Sequence, residues 1–309
     1  MPSFNSSGNL AVAVALLFAG ALYFYFSSIT VSDPMSDLLH NVETRWTEYP
    51  VDELEAVLDK AAMGNNKTVI IAMVNKAYVE EVEGGRTMLD LFLESFWEGE
   101  GTRPLLDHLM LVAADQTSYD RCLFRRLHCY KMDTDGVDLE GEKDTDVMWL
   151  RSPFPRLSYN ESLDMQISVD SIGLVGGHLI NTGFYHVRSN NKTISLFQKW
   201  YDMRLKSTGM KEQDVLKSLL DSGFFNQLGL NVGFLNTTEF SGFCQDSHDM
   251  GVVTTVHANC CRHILAKISD LTLVLRDWKR YKASHVNSNW SPHVECGRSW
   301  SDTHYIPKL

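Results

Sequence analysis

Asp144 and Asp146 stand one residue apart, ahead of the apolar run Val147-Met148-Trp149-Leu150 and the stop Arg151-Ser152-Pro153-Phe154-Pro155. Two carboxylates at that spacing, in a loop leading into an apolar run, can share one hard divalent cation. Mg²⁺ and Mn²⁺ take oxygen ligands, and Mg²⁺ is commonly held by one or two carboxylates together with a substrate's phosphates. The matching chemistry is cleavage of a sugar–phosphate bond in a nucleotide diphosphate. Asp-x-Asp also occurs in solvated acidic loops. The apolar run and the Ser-Pro-Phe-Pro stop behind it make this copy more specific.

Other residues carry weaker signals. Asp115 and Asp170 end predicted strands, where loop-borne functional groups cluster, and Asp115 is a candidate nucleotide contact. His257, Cys260, Cys261 and His263 have a spacing that can bind zinc. No second cluster matches it and adjacent cysteines are awkward ligands, so disulfides or buried thiols are favoured there, and His257 alone reads as a core histidine. Asp214 follows Lys211-Glu212-Gln213 at a predicted helix start, where capping and a site role stand about even. An Asp-nucleophile phosphatase would also use an Asp-x-Asp, but it needs the pair at the end of an apolar strand, and here Lys143 and acidic residues precede it.

The 309 residues allow one or two domains with a sizeable core. Lys and Arg number 28 against 39 Asp and Glu, a formal net charge of −11. Such a chain is a poor nucleic-acid binder, and a bound diphosphate would need a cation to offset the repulsion. Leu10 to Val31 carries no charge, shows no polar face, and matches the roughly 20 residues of a membrane-spanning helix. With no strong basic segment before it and a mediocre cleavage site after it, an uncleaved signal anchor (residues 10–31) behind a short cytoplasmic terminus (1–9) is expected. Sequons at Asn66, Asn160, Asn191 and Asn236, and six cysteines, fit an oxidising lumen. Cys122 with Cys129, and Cys244 with Cys260 or Cys261, are the candidate pairs.

Elements must position these groups. Residues 32–65 read as a stem, with helical spacing over Val51 to Leu58. Thr68 to Val74 and His108 to Ala114 read as buried strands of a parallel sheet. Helices are predicted over Met88–Trp97 and Ser118–Leu127, with a short strand over Cys129–Met132. This alternation argues for a doubly wound α/β sheet, whose ligands bind beyond the carboxyl ends of the strands. Further strands are expected at Met165–Val169, Gly183–Val187 and Val232–Leu235, and helices at Thr193–Leu205, Glu212–Leu220 and Ile264–Tyr281. The tail from Ala283 onward lacks periodicity and reads as a loosely held extension.

Taken in order, Asp144 to Pro155, Asn181-Thr182-Gly183 through Asn190, Gln213-Asp214-Val215-Leu216, Gly242-Phe243-Cys244 and His257-Ala258-Asn259-Cys260-Cys261 resemble the plant nucleotide-diphospho-sugar transferase family. That family is grouped with glycosyltransferase family 77, which includes pectin xylosyltransferases and extensin arabinosyltransferases. The resemblance covers about residues 68–281. It implies a GT-A-like doubly wound mixed sheet with helices on both faces, a Golgi type II membrane topology, and a nucleotide sugar used with Mn²⁺ or Mg²⁺. The acceptor would be a cell-wall polysaccharide or glycoprotein, with partners in a transferase complex. By motif match, Asp144 and Asp146 would hold metal and diphosphate and His257 would add a ligand. Asn181, Thr182 and Gly183 would line the sugar pocket, and Gln213 and Asp214 would sit near sugar and acceptor. In the family a helix and a buried strand precede the Asp-x-Asp. Here Asp133 to Lys143 is polar and acidic, so a βα element of about thirty residues is missing. A non-catalytic, membrane-anchored relative is the alternative that this departure raises.

Overall fold

The computed structural model describes residues 51–81, 85–132, 145–172, 178–204, 206–207, 209–286 and 289–301. The expected membrane anchor, most of the stem, and Asp144 lie outside them. No described helix is long and apolar enough to cross a membrane.

The described residues fold as a mixed α/β body. Helix α1 (Val51–Ala61) precedes β1 (Ile70–Val74), and a short helix α2 (Lys76–Val79) leads to α3 (Met88–Glu98). Helix α3 starts on a capping box in which Thr87 and Asp90 exchange side chain–backbone hydrogen bonds. Strand β2 (Leu109–Ala113), helix α4 (Gln116–Phe124) and strand β3 (His128–Lys131) follow. Strands β1, β2 and β3 pair in parallel in that order. The apolar runs of β1 and β2 are those of strands covered on both faces, whereas β3 (His-Cys-Tyr-Lys) is mixed, as befits its edge position.

Beyond the acidic segment, β4 (Val147–Trp149) pairs antiparallel with β9 (Thr255–His257), which pairs in parallel with β8 (Phe240–Gly242). A third sheet has β5 (Met165–Ile172) between β6 (His178–Val187) and β7 (Val232–Phe234). Helices α5 (Asn191–Arg204), α6 (Glu212–Asp221) and α7 (Phe224–Gln227) lie between β6 and β7 in sequence, and α8 (Ile264–Ser284) and α9 (Val294–Arg298) close the described chain.

The single continuous sheet of the sequence reading is therefore three short sheets among the described residues. Strands β1 and β4 each end a sheet, yet both bury side chains in one core, with Ile70, Val74, Met148 and Trp149 packed with α3 and α8. Trp149 stacks on Phe96 at 4.8 Å, and the indole N–H of Trp278 donates to the Glu98 carbonyl at 3.0 Å. Trp149 and Phe154 thus pack, as their sequence context suggests. Arg151 is structural too: its guanidinium pairs with Glu100 at 2.9 Å and donates to the carbonyls of Met250 and Val253.

Three disulfides join Cys122 to Cys129, Cys244 to Cys260 and Cys261 to Cys296. The first two are among the candidate pairs, and the third changes the reading of the tail. Residues 289–301 are tied to the body by that bond, by the Trp290 indole donating to the Ser247 carbonyl at 2.9 Å, and by Ser291 N–H donating to Asp277 at 2.6 Å. A segment with no periodicity is held here by covalent and side-chain ties that periodicity cannot report.

Candidate active site

Asp146 immediately precedes β4, and the β4–β9 register sets Val147 opposite His257. One short ladder thereby joins residues more than a hundred positions apart. The Ala258 N–H donates to the Asp146 carbonyl at 3.0 Å, and His257 Nε2 lies 3.3 Å from Asp146 Oδ1. On the other side Lys267, in the first turn of α8, brings Nζ to 2.9 Å from Asp146 Oδ2. Asp146 and Lys267 are 1% and 4% exposed, so this is a buried ion pair beside an imidazole. Burial pushes the Asp146 carboxyl up, but Lys267 and His257 outweigh it and hold the group well below the usual carboxylate range. Oδ2 is thus held in the ion pair with Lys267, while Oδ1 faces the imidazole.

A second carboxylate organises the other half of the site. Asp170 lies where the β5–β6 register shifts, between Val169 and Ser171. Such bulges re-aim a side chain out of the sheet's alternation. Asp170 Oδ1 accepts from the amide nitrogens of Asn181 and Asn259, each at 2.7 Å, and Oδ2 accepts from Gln213 at 3.3 Å. Each carboxamide uses its oxygen to accept a backbone N–H: Asn181 from Gly183 at 2.8 Å, Asn259 from Cys244 at 3.0 Å, and Gln213 from Thr182 at 3.3 Å. The amides are thus oriented by the backbone and in turn fix the carboxylate, a closed network of the kind that rigidifies a polar site.

The two halves meet in one cavity of about 790 Å³, lined by Asp146, His257, Lys267, Asp170, Asn181, Thr182, Gly183, Gln213 and Asn259 among others. Gly183 is required by packing. A Cβ there would lie 2.7 Å from His257 Nδ1 and 2.9 Å from the Asn181 side-chain oxygen.

Of the residues singled out by sequence, Asp146, Asn181, Thr182, Gly183, Gln213 and His257 line this cavity. Asp115 and Asp214 do not, and both serve as helix caps. Asp115 accepts from the N–H of Ser118 at 2.8 Å and of Lys76 at 2.6 Å, and Asp214 accepts from the Lys211 N–H at 3.3 Å. Cys260 and Cys261 are consumed in disulfides, which removes the zinc reading for the cluster.

Comparison with known proteins shows what the stretch that lines this cavity resembles. The nucleotide-diphospho-sugar transferase profile matches residues 143–271, the stretch that carries most of the lining. The uncharacterized protein At1g28695 of Arabidopsis thaliana is 71% identical over 99% of this chain and 98% of its own length. Residues 143–271 are thus similar to the nucleotide-diphospho-sugar transferase family. A second relative, the uncharacterized protein At4g15970 of Arabidopsis thaliana, is 35% identical over 80% of this chain and 74% of its own. Among solved structures, the apo form of the glycosyltransferase GlyE from Streptococcus pneumoniae TIGR4 aligns with a TM-score of 0.38 and 12% identity, over 72% of this chain and 64% of that one, a little under two thirds of its length.

The alignment with the 71% identical relative spans 338 positions, so at least 29 of them have no counterpart in the 309 residues here. Two further cavity residues, Asn259 and Lys267, carry no signal of their own in the sequence, and Asp170 carries only that of a strand end. Asn259 sits inside a motif that stands out for its histidine and cysteines, and Lys267 reads as an ordinary helix lysine. What unites them is contact across β5, β9 and α8, which no local pattern encodes.

Proposed function

We propose that this chain is a metal-dependent glycosyltransferase that moves a sugar, a pentose such as xylose or arabinose by its resemblance to family 77, from a nucleoside-diphosphate donor to a cell-wall polysaccharide or glycoprotein. The observation that carries the reading is the convergence, in one cavity, of the Asp146–His257–Lys267 group with the amide-held Asp170.

The donor set fits a divalent ion such as Mn²⁺ or Mg²⁺. A buried carboxylate stands beside an imidazole, and the ion would be held by Asp146 and His257, with Asp144 from outside the described residues. Among the described residues alone, no three acidic, histidine or cysteine side chains cluster as a complete site, so Asp144 is needed. When bound, such an ion offsets charge gathering on the departing diphosphate. The chain's own residues supply the rest. Lys267 gives a buried positive charge beside the same carboxylate, poised for a phosphate oxygen. Asp170, Asn181 and Gln213 present a rigid set of acceptors and donors matched to sugar hydroxyls, with Thr182 and Gly183 forming the wall. A chain of net charge −11 needs these local cations to hold a diphosphate at all.

The uncharged run Leu10 to Val31 and the resemblance to family 77 support a single-pass type II protein of the Golgi membrane with its domain in the lumen. The disulfides, and the exposure of Asn66, Asn160, Asn191 and Asn236, support an oxidising, glycosylating compartment.

A second reading has its own support. The 29 or more absent positions and the terminal places of β1 and β4 in their sheets match loss of a βα element between Met132 and Asp144. In that case the chain is a folded, inactive relative that serves as a partner in a transferase complex. Release of free sugar from UDP-xylose or UDP-arabinose in the presence of Mn²⁺ separates the two. Wild-type turnover that is lost in an Asp146→Asn protein whose thermal melt shows it still folded supports the enzyme, and a folded wild-type protein with no turnover supports the partner.

A further inference from the structure

Ser299 and Trp300 line the same cavity as Asp146 and Asp170, although they come from the far end of the described chain. Their placement is tightly specified. The Cys261–Cys296 bond anchors α9, the Arg262 N–H donates to the Ser299 hydroxyl at 3.0 Å, and the Trp300 indole N–H donates to the Cys260 carbonyl at 2.6 Å. Cys260 has φ of +52°, in the left-handed region that non-glycine residues adopt infrequently. The Arg262 guanidinium lies 4.0 Å above the indole ring.

Despite these ties Trp300 remains 53% exposed. Core packing does not account for a large aromatic that is held at its edge, covered on one face by a cation, and left half in water at the rim of a polar cavity. The edge and one face are engaged, and among the described residues the opposite face has no ring contact.

We propose that this face of Trp300 is the acceptor platform of the transferase, and that its ligand is a carbohydrate ring docked by its C–H face. The negative face of an indole attracts the weakly positive C–H hydrogens of a sugar, and the ring buries apolar area without needing hydroxyl partners of its own. The sugar's hydroxyls then point outward from the ring edge, toward polar residues of the same cavity such as Lys211 and Glu212. Pinning the indole beforehand removes the ordering penalty that a free side chain would pay on binding. A cavity of about 790 Å³ is near the upper end of the range for small-ligand sites, about 300–1,000 Å³, in keeping with two substrates side by side. This inference rests on the donor-site reading above, since an acceptor platform has a purpose only beside a donor.

The test uses the full chain and two variants, Trp300→Ala and Trp300→Phe, each checked for folding by its thermal melt. Wild-type protein is titrated with UDP and Mn²⁺, then with xylo-, arabino- and galacturono-oligosaccharides of four units and with a hydroxyproline decapeptide. The UDP titration reports on the donor reading alone. The platform predicts that at least one oligosaccharide binds, that Trp300→Ala weakens it about tenfold or more, and that Trp300→Phe retains most of the affinity. Failure of every oligosaccharide to bind wild-type protein, or equal glycan affinity in folded Trp300→Ala, would overturn the proposal. Binding of the peptide but not the glycans would overturn it as well, because the occupant would then be a polypeptide.

Discussion

Removing the charge of Asp146 should unfold the site rather than merely silence it. Asp146 and Lys267 are 1% and 4% exposed and their charged atoms lie 2.9 Å apart. At an effective dielectric of about 20, two unit charges at that distance attract by about 6 kcal/mol. Desolvation opposes this by several kcal/mol for each ion, so the pair gains little over an apolar pair, whereas deleting one partner strands the other and costs about 3–5 kcal/mol. Against a total stability of about 5–15 kcal/mol, Asp146→Asn and Lys267→Met should each remove a large share. The double variant should lose far less than the sum, giving a coupling of about 3 kcal/mol or more. Urea unfolding of the four proteins with disulfides intact measures this, provided the m-values agree. Additive losses within about 0.5 kcal/mol, or single losses below about 1 kcal/mol, would refute the argument. The pH dependence carries a sign of its own. The folded-state value of Asp146 lies below the unfolded one, so the unfolded chain binds the proton first. The contribution is therefore fully present above the unfolded carboxylate value of about 3.9 and is lost as pH falls from there toward the folded value. Asp146→Asn should flatten that acid limb.

Three further outcomes are expected. Gly183→Ala puts a methyl 2.7 Å from His257 Nδ1, so it should cost about 1–3 kcal/mol in unfolding and lower Mn²⁺-dependent UDP affinity by about tenfold in calorimetry. Replacing Cys261 and Cys296 by serine opens a loop with a sequence separation of 35, which should cost about 3.8 kcal/mol in a denaturant melt and expose residues 289–301 to protease. Inserting a βα element of about thirty residues between Met132 and Asp144 should raise the melting temperature by several degrees if it completes the sheet, since about 1 kcal/mol shifts a domain of this size by about 2–4 °C. No change, or a drop, would show that β1 and β4 need no strand between them.

Much of the scaffold was legible from the sequence because it is written locally. Ile70–Val74 and Leu109–Ala113 are apolar runs long enough to declare buried strands, and Met88–Glu98 carries both its stripe and its capping residues. The collinear motifs that suggested a family also supplied Asp146, Asn181, Gly183, Gln213 and His257, which the fold gathers into one cavity. What stayed hidden depends on long-range contact. Strands β4, β8 and β9 are three residues each, too short for alternation to show. Asp170 faces the cavity only because of a shift in strand register, which is decided by the β6 partner. Lys267 falls on the buried side of α8, and composition gives no reason to bury a lysine until its carboxylate partner is known. Asp115 and Asp214 show the converse: acidic residues at helix starts look reactive in sequence and are spent on backbone N–H groups in the fold.

Calorimetric titration of UDP into the purified protein, with and without Mn²⁺, tests the central claim most directly. The account predicts binding that requires Mn²⁺ and disappears in Asp146→Asn and His257→Ala. Binding of equal strength without the metal, or no binding by a folded and monodisperse protein, would contradict it.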